Sequence, residues 1–228
     1  MNNKTTQLEN ETANAAPATG GRWAAGEDPA KRQQILEGAK RAFMKFGFDA
    51  ASMNDVTREA GVSKGTLYVY FANKEDLFAA MVETERAEFV ASVRTALAEK
   101  STVEEALYDF GMTFVAHMTT DKVMDAMRTV LGVRDRMPGL CQRFFTGPEN
   151  IRTVMYDYLQ RQVAEGRVAI DDIDLAARQF LELSSGSFFK LRLFGAMEPP
   201  SREEMHRVVH GAVRVFMAAY GTGTRPTA

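Results

Sequence analysis

Cysteine is all but absent from this chain, with Cys141 the single thiol among 228 residues. One thiol cannot make an internal disulfide framework, and the scarcity suits a reducing cytoplasm. Histidine is nearly as rare. Of His117, His206 and His210, the last two stand four apart on one helical face with Glu203 a turn earlier, a spacing two metal ligands can use. With no cysteine or third histidine close by in sequence, the pair reads as a polar patch and no metal is expected. Nucleophile elbows and phosphate-cradling glycine loops are missing too, and no histidine is placed by sequence beside Cys141, so neither an enzyme nor a cofactor is expected. No apolar run approaches the ~20 residues that span a bilayer, so no membrane partner is expected. Strand-like alternation and internal repeats are also lacking, which leaves an all-α chain.

What is present is charge in near balance and enough apolar residue, 45%, to bury a sizeable core. The net charge is −2, yet Pro29 to Phe78 carries eight Lys/Arg against six Asp/Glu. A locally basic segment on a mildly acidic protein suits a DNA reader that must also let go, rather than a general nucleic-acid coat. The expected division is a disordered arm over 1–28, a helix-turn-helix DNA-binding domain over 29–78, a helical effector-binding and dimerisation domain over 79–220, and a disordered tail over 221–228. The arm is rich in Asn, Thr and Ala, with Pro17 and Gly20-Gly21 and no apolar core. Arg22 with Lys31-Arg32 could follow a DNA backbone or minor groove; a solubilising role explains the composition as well.

Within the basic segment, Ile35, Ala39, Ala42, Phe43 and Phe46 fall on one face of a helix that Gly47 stops. Ser52 opens a second, short helix with Asp55 as the acidic partner of a capping box, Val56 and Ala60 as its inward face and Gly61 as its end. Two residues later Ser63 caps a third, Lys64 to Tyr70, anchored by Val62, Leu67 and Phe71. Helix, tight glycine turn, helix is the helix-turn-helix pattern. The third helix offers Lys64 and Tyr68 on one face, with Gly65 and Thr66 near its start. Lysine can donate to guanine O6 and N7, the threonine methyl can pack on a thymine methyl, and glycine admits the backbone. Asn73 caps a long fourth helix whose first amides, with Lys74, make a phosphate clamp. The same spacing also occurs in ordinary compact helical domains whose tyrosines only pack.

The run Ile35-Leu36-x-x-Ala39-x-x-x-Phe43-x-x-x-Gly47-Phe48, then Ser52-x-x-Asp55-Val56-x-x-x-Ala60-Gly61-Val62-Ser63-x-Gly65-Thr66-Leu67-Tyr68-x-Tyr70-Phe71-x-x-Lys74-Glu75-x-Leu77, closely resembles the TetR/AcrR family of bacterial transcriptional regulators. It spans only the first third of the chain; the remainder is similar in size and helical pattern. The resemblance implies that Ser52 meets phosphate and that Asn54 reaches a base or the backbone. It further implies that Lys64, Gly65 and Thr66 approach base edges, that Tyr68 and Tyr70 sit near the DNA backbone, and that Lys74 holds phosphate. Met53 stands where the family often has a second hydroxyl, so that contact would rest on Ser52 alone. Repression of a palindromic operator by a homodimer, relieved by a ligand, is the behaviour the resemblance implies.

Beyond the reader, one long helix is expected from Lys74 to about Glu99, followed by a helix opened by Ser101-Thr102-Val103-Glu104 and carrying Leu107, Phe110, Phe114 and Met118. A shorter segment holds Val123, Met124, Met127, Val130 and Leu131 before a break at Met137-Pro138-Gly139. Another helix runs from Glu149 to Ala164. The last two, Asp172 to Phe194 and Ser201 to Tyr220, mix small and large apolar residues widely enough to suggest a four-helix seam between two subunits, or else a core hairpin within one. Ala176, Phe180, Leu183, Ser184, Ser187 and Phe188, with Val208, Val209, Ala212, Val213 and Phe216, are the candidate seam. Phe110, Phe114, Met118, Met124, Met127, Phe144, Phe145, Met155, Tyr156 and Leu159, with His117 and Arg128 as polar handles, are the candidate lining for a small apolar or aromatic effector. A helical ligand-binding protein without specific DNA regulation is the competing reading.

Overall fold

The computed structural model describes residues 23–98, 102–135, 138–139 and 150–223. Expectations for the arm before Trp23, for Glu99, Ser101, Met137, Cys141, Phe144, Phe145 and Glu149, and for the tail beyond Gly223 lie outside these residues. Within them the order is α1 Pro29–Phe46, α2 Met53–Ala60, α3 Lys64–Tyr70, α4 Lys74–Ala98, α5 Val103–Met118, α6 Asp121–Val133, α7 Ile151–Ala164, α8 Ile173–Leu193 and α9 Arg202–Tyr220. No strand occurs among the described residues, only an isolated bridge between Val168 and Gly221 that ties the end of α9 to the loop before α8. No helix in them is long and apolar enough to cross a membrane.

Side chains at the helix starts set the boundaries. Asp28 accepts from the Ala30 and Lys31 amides, with Pro29 supplying the fixed φ of a first turn, so α1 begins two residues before Lys31. Thr102 caps α5 through the Glu105 amide. Asn150 closes a capping box with Thr153 on α7, and Ser201 closes another with Glu204 on α9. Pro138 and Gly139, expected as a break, have helical backbone.

Two cores form. In the first, Ile35, Leu36, Ala39, Ala42 and Phe43 of α1 pack on Val56 of α2, Leu67 of α3 and Leu77, Phe78, Ala79 and Ala80 of α4. Val130 and Val133 at the end of α6 belong to this core as well. Phe46, expected on the inward face, is 37% exposed; it is the last residue of α1, its ring under the Lys45 ammonium and the Arg58 guanidinium. The second core joins Val90, Val93 and Leu97 of α4 to Phe110, Phe114, Met155, Leu159, Phe180, Val209 and Phe216. The Phe110 ring lies 6.1 Å from Phe180, which meets Phe216 edge-on at 5.5 Å.

Two glycines set how closely helices approach. A Cβ on Gly38 would stand 2.3 Å from that of Ala60 and 2.6 Å from its amide nitrogen, so α1 and α2 touch backbone to backbone. A Cβ on Gly111 of α5 would stand 2.6 Å from Cγ1 of Val209 on α9. Helix propensity alone favours alanine over glycine by ~1 kcal/mol. Gly38→Ala is nevertheless expected to destabilise the fold by about 1–3 kcal/mol in denaturant titration, because α1 must lift off α2. Gly132→Ala, with nothing within 4 Å of the new methyl, should be neutral or stabilising.

Candidate nucleic-acid interface

The reader is built from two short capped helices and one left-handed turn. Ser52 accepts from the Asp55 amide at 3.2 Å, while the Asp55 carboxylate takes the Ser52 amide at 3.0 Å and its hydroxyl at 2.5 Å. Those bonds from Ser52, with the nearby Arg58, hold the Asp55 carboxyl below the usual carboxylate range. Gly61 then turns the chain at φ 64°, where a Cβ would be strained. Ser63 accepts from the Thr66 amide at 3.0 Å and its hydroxyl shares a hydrogen bond with that of Thr66. Leu67 is fully buried beneath α3, which fixes what the rest of the helix turns outward.

Lys64 and Gly65 are exposed, Thr66 is half-buried and Tyr68 is 45% exposed, with the Lys64 ammonium 5.9 Å from the Tyr68 ring centre. Asn54 is exposed on α2. On α3, Lys64, Gly65, Thr66 and Tyr68 present donors, a methyl and an aromatic edge with little bulk, a profile a major groove accommodates. Tyr70 differs, being half-buried and packed against the first core. Lys74 differs too. Its ammonium donates to the carbonyls of Phe48 at 2.8 Å and Asp49 at 3.0 Å and lies 4.7 Å from the Phe48 ring centre, so it ties the start of α4 to the loop after α1. Two of its three protons are thereby committed to structure. A groove of about 470 Å³ runs beside α3, lined by Tyr68, Val69 and Tyr70 and by Asp76 and Glu83 of α4.

The expected effector lining is partly drawn together. Phe110, Phe114, Met155 and Leu159 meet in the second core, and Met118 packs against it half-buried. Met124 and Met127 are buried and Tyr156 is half-buried. Arg128 is spent elsewhere: it donates to the carbonyls of Arg192 at 2.8 Å and Leu193 at 3.1 Å and pairs with Asp125. His117 stacks on Phe89 at 3.6 Å; burial, then the Lys122 charge, push its pKa down against the pull of Glu85. A second cavity, about 100 Å³, opens between α4 and α7 and is lined by Arg94, Leu97, Val154, Asp157 and Arg161, none of them in the expected set.

The expected subunit seam needs correction. Ala176, Phe180, Ser184 and Phe188 of α8, with Val209, Ala212, Val213 and Phe216 of α9, are buried inside the protomer and have little surface left for a second chain. Leu183 and Ser187 do face outward, and Val208 is half-buried. Exposed apolar side chains remain on both helices and at the end of α8: Leu175, Leu183, Leu191, Val215 and the 84% exposed Phe194. His206 does not stand free on α9: its Nδ1 shares a hydrogen bond with the Tyr108 hydroxyl at 2.8 Å.

Sequence reasoning also missed two polar joints. Glu85 on α4 binds Lys40 of α1 at 2.9 Å through one carboxylate oxygen and Lys122 of α6 through the other. Burial alone would raise the Glu85 carboxyl, but the two lysines outweigh it and hold it low, while Glu85 raises the Lys40 ammonium. Arg192, 5% exposed, donates to the carbonyls of Thr119 and Met197 and pairs with Asp121, pinning the end of α8 to the α5–α6 turn. The Glu85–Lys122 pair spans 37 residues and the Arg192 bonds to Thr119 and Asp121 span 73 and 71, separations no local pattern registers.

This arrangement, an open helix-turn-helix on an all-helical body, defines a DNA-binding regulator. Residues 35–81 match the model for bacterial regulatory proteins of the tetR family, and residues 105–222 match that for the C-terminal domain of AefR-like transcriptional repressors. The chain belongs to the TetR family of bacterial transcriptional regulators. It is similar to the solved structure of a putative TetR-family regulator from Mesorhizobium loti, with 26% identity and a TM-score of 0.77 over 85% of this chain and 98% of that one. It is also similar to the flavonoid-responsive regulator FrrA, with 27% identity and a TM-score of 0.63 over 86% and 100%. The fatty acid metabolism regulator protein of Bacillus subtilis shares 30% identity over 77 residues, 34% of this chain; the match spans only 40% of that protein's length.

The two lysines separate by experiment. Lys64→Ala should weaken operator binding by ~1–3 kcal/mol with the unfolding midpoint unchanged. Lys74→Ala should lower stability by about 1 kcal/mol, as two carbonyls lose their donor, and DNA affinity should fall on all sequences alike. Unchanged stability in Lys74→Ala would return that lysine to a purely phosphate-holding role.

Proposed function

We propose that the protein is a transcriptional repressor that binds a palindromic operator as a homodimer and leaves it when a small hydrophobic or aromatic effector enters the helical body. The observation that carries this reading is the outward set Lys64, Gly65, Thr66 and Tyr68 on a helix anchored by a fully buried Leu67. Ser52, Asn54 and the third proton of Lys74 are assigned to the DNA backbone. One seven-residue helix supplies too few base contacts for operator specificity, so two readers at fixed spacing are required. The division of labour is a reader over 29–78 and an effector-binding and dimerisation body over 79–220, with the arm and tail outside both, at work in the cytoplasm. That FrrA carries the description flavonoid-responsive supports an aromatic or apolar effector for a related body.

The subunits meet through α8 and α9, where exposed apolar side chains, Leu183, Leu191, Phe194 and Val215 among them, would be covered by their two-fold mates. Leu191→Asp is expected to yield folded monomers in sedimentation and at least a tenfold loss of operator affinity. Ala212→Asp, at a site only 3% exposed, should unfold the protomer instead. A wild-type monomer at micromolar concentration would refute the dimer.

Control runs through α4. Moving operator occupancy from ~99% to ~1% needs about 5.5 kcal/mol of differential effector affinity, shared by two subunits. Glu85 joins α1, α4 and α6 with one carboxylate, so any shift of α6 is felt at the reader. Glu85→Gln should leave effector binding intact while reducing its effect on operator affinity. Full effector response in that variant would remove Glu85 from the coupling path.

A further inference from the structure

The small cavity between α4 and α7 has an unusual wall. Arg94 comes from α4 and Arg161 from α7, and both border the same 100 Å³ space. Among the described residues, neither guanidinium is in an ion pair, although Asp157 borders the same cavity. Seven other arginines, Arg58, Arg128, Arg134, Arg152, Arg167, Arg178 and Arg192, stand within 3.5 Å of a carboxylate, whereas Arg94 and Arg161 bring two unpaired charges to one cavity. The floor is apolar. Leu97 and Val154 are 4% and 3% exposed and belong to the core that holds Phe110, Met155 and Leu159.

Two unpaired cations bordering one cavity with an apolar floor suit a molecule with an anionic head and an apolar tail. We propose that Arg94 and Arg161 form the headgroup subsite for an amphipathic anion, whose tail passes Leu97 and Val154 into the second core. This deepens the effector reading above and rests on it only for the consequence at DNA. The cavity is large enough for a headgroup and its first carbons. The tail must therefore part α4 from α7, and Arg94 sits on the helix whose first turns, at Leu77 and Phe78, are buried in the reader core. Guanidinium forks recognise carboxylate and phosphate oxygens bidentately, which ranks both headgroups above a neutral hydroxyl.

Decanoate, decyl phosphate and 1-decanol share a tail and differ in head. In calorimetric titration of the full chain, the two anions are expected to bind at least about tenfold more tightly than the alcohol, the worth of roughly one charge-assisted hydrogen bond. The ranking of decanoate against decyl phosphate identifies the head. The Arg94→Ala/Arg161→Ala double variant should lose that preference while binding the alcohol as before. Both side chains are exposed, and an unchanged melting curve without ligand checks the fold. Equal binding of anion and alcohol by the wild type, preference retained in the double variant, or no binding of any probe would each overturn the proposal. Preferential anion binding with no change in operator affinity would uphold the subsite and count against the repressor reading instead.

Discussion

One helix serves as a wall of two cores. The first turns of α4 bury Leu77, Phe78, Ala79 and Ala80 among the reader helices, and its later turns bury Val90, Val93 and Leu97 in the helical body. Packed interiors are dense and resist continuous deformation, so a helix held at both ends moves as a lever rather than bending locally. Everything assigned to regulation depends on this shared occupancy. A body joined to its reader by a loose linker could bind a ligand without the reader sensing it.

Polar contacts fix the lever's bearings. Glu85 receives Lys40 from one side and Lys122 from the other, close to the change from one core to the next. Lys40, Lys122 and Glu85 keep 33%, 53% and 29% of their side-chain surface in water, so each pair adds little stability by itself. Their value is positional. Arg192 is the opposite case: buried, with each donor group satisfied, it makes the turn between α5 and α6 rigid against the end of α8.

The reader was legible in sequence because its devices are local. Ser52 with Asp55, Gly61 and Ser63 signal caps and a turn within three or four residues, and the structure forms each of them. The body was legible as helices but not as faces. Ala176, Phe180, Ser184 and Phe188 read as a seam because the apolar residues of α8 extend beyond one face, and periodicity cannot say which of them meet their own chain. Lys74 likewise matched a phosphate-holding position, while its carbonyl partners, Phe48 and Asp49, lie about 25 residues away. Arg94 and Arg161 left no local signal, being on different helices.

The end of α6 carries a further consequence. Val130 and Val133, each 2% exposed, complete the reader's core although they lie fifty residues beyond its last helix turn. The reader is therefore not a detachable module. Cutting the chain after α4's first turns would open a hydrophobic notch where those valines sit, and grafting the reader onto another body would require that body to bring a matching pair of side chains. Exchange of readers between such proteins is thus constrained by a contact that belongs, by sequence, to the other half.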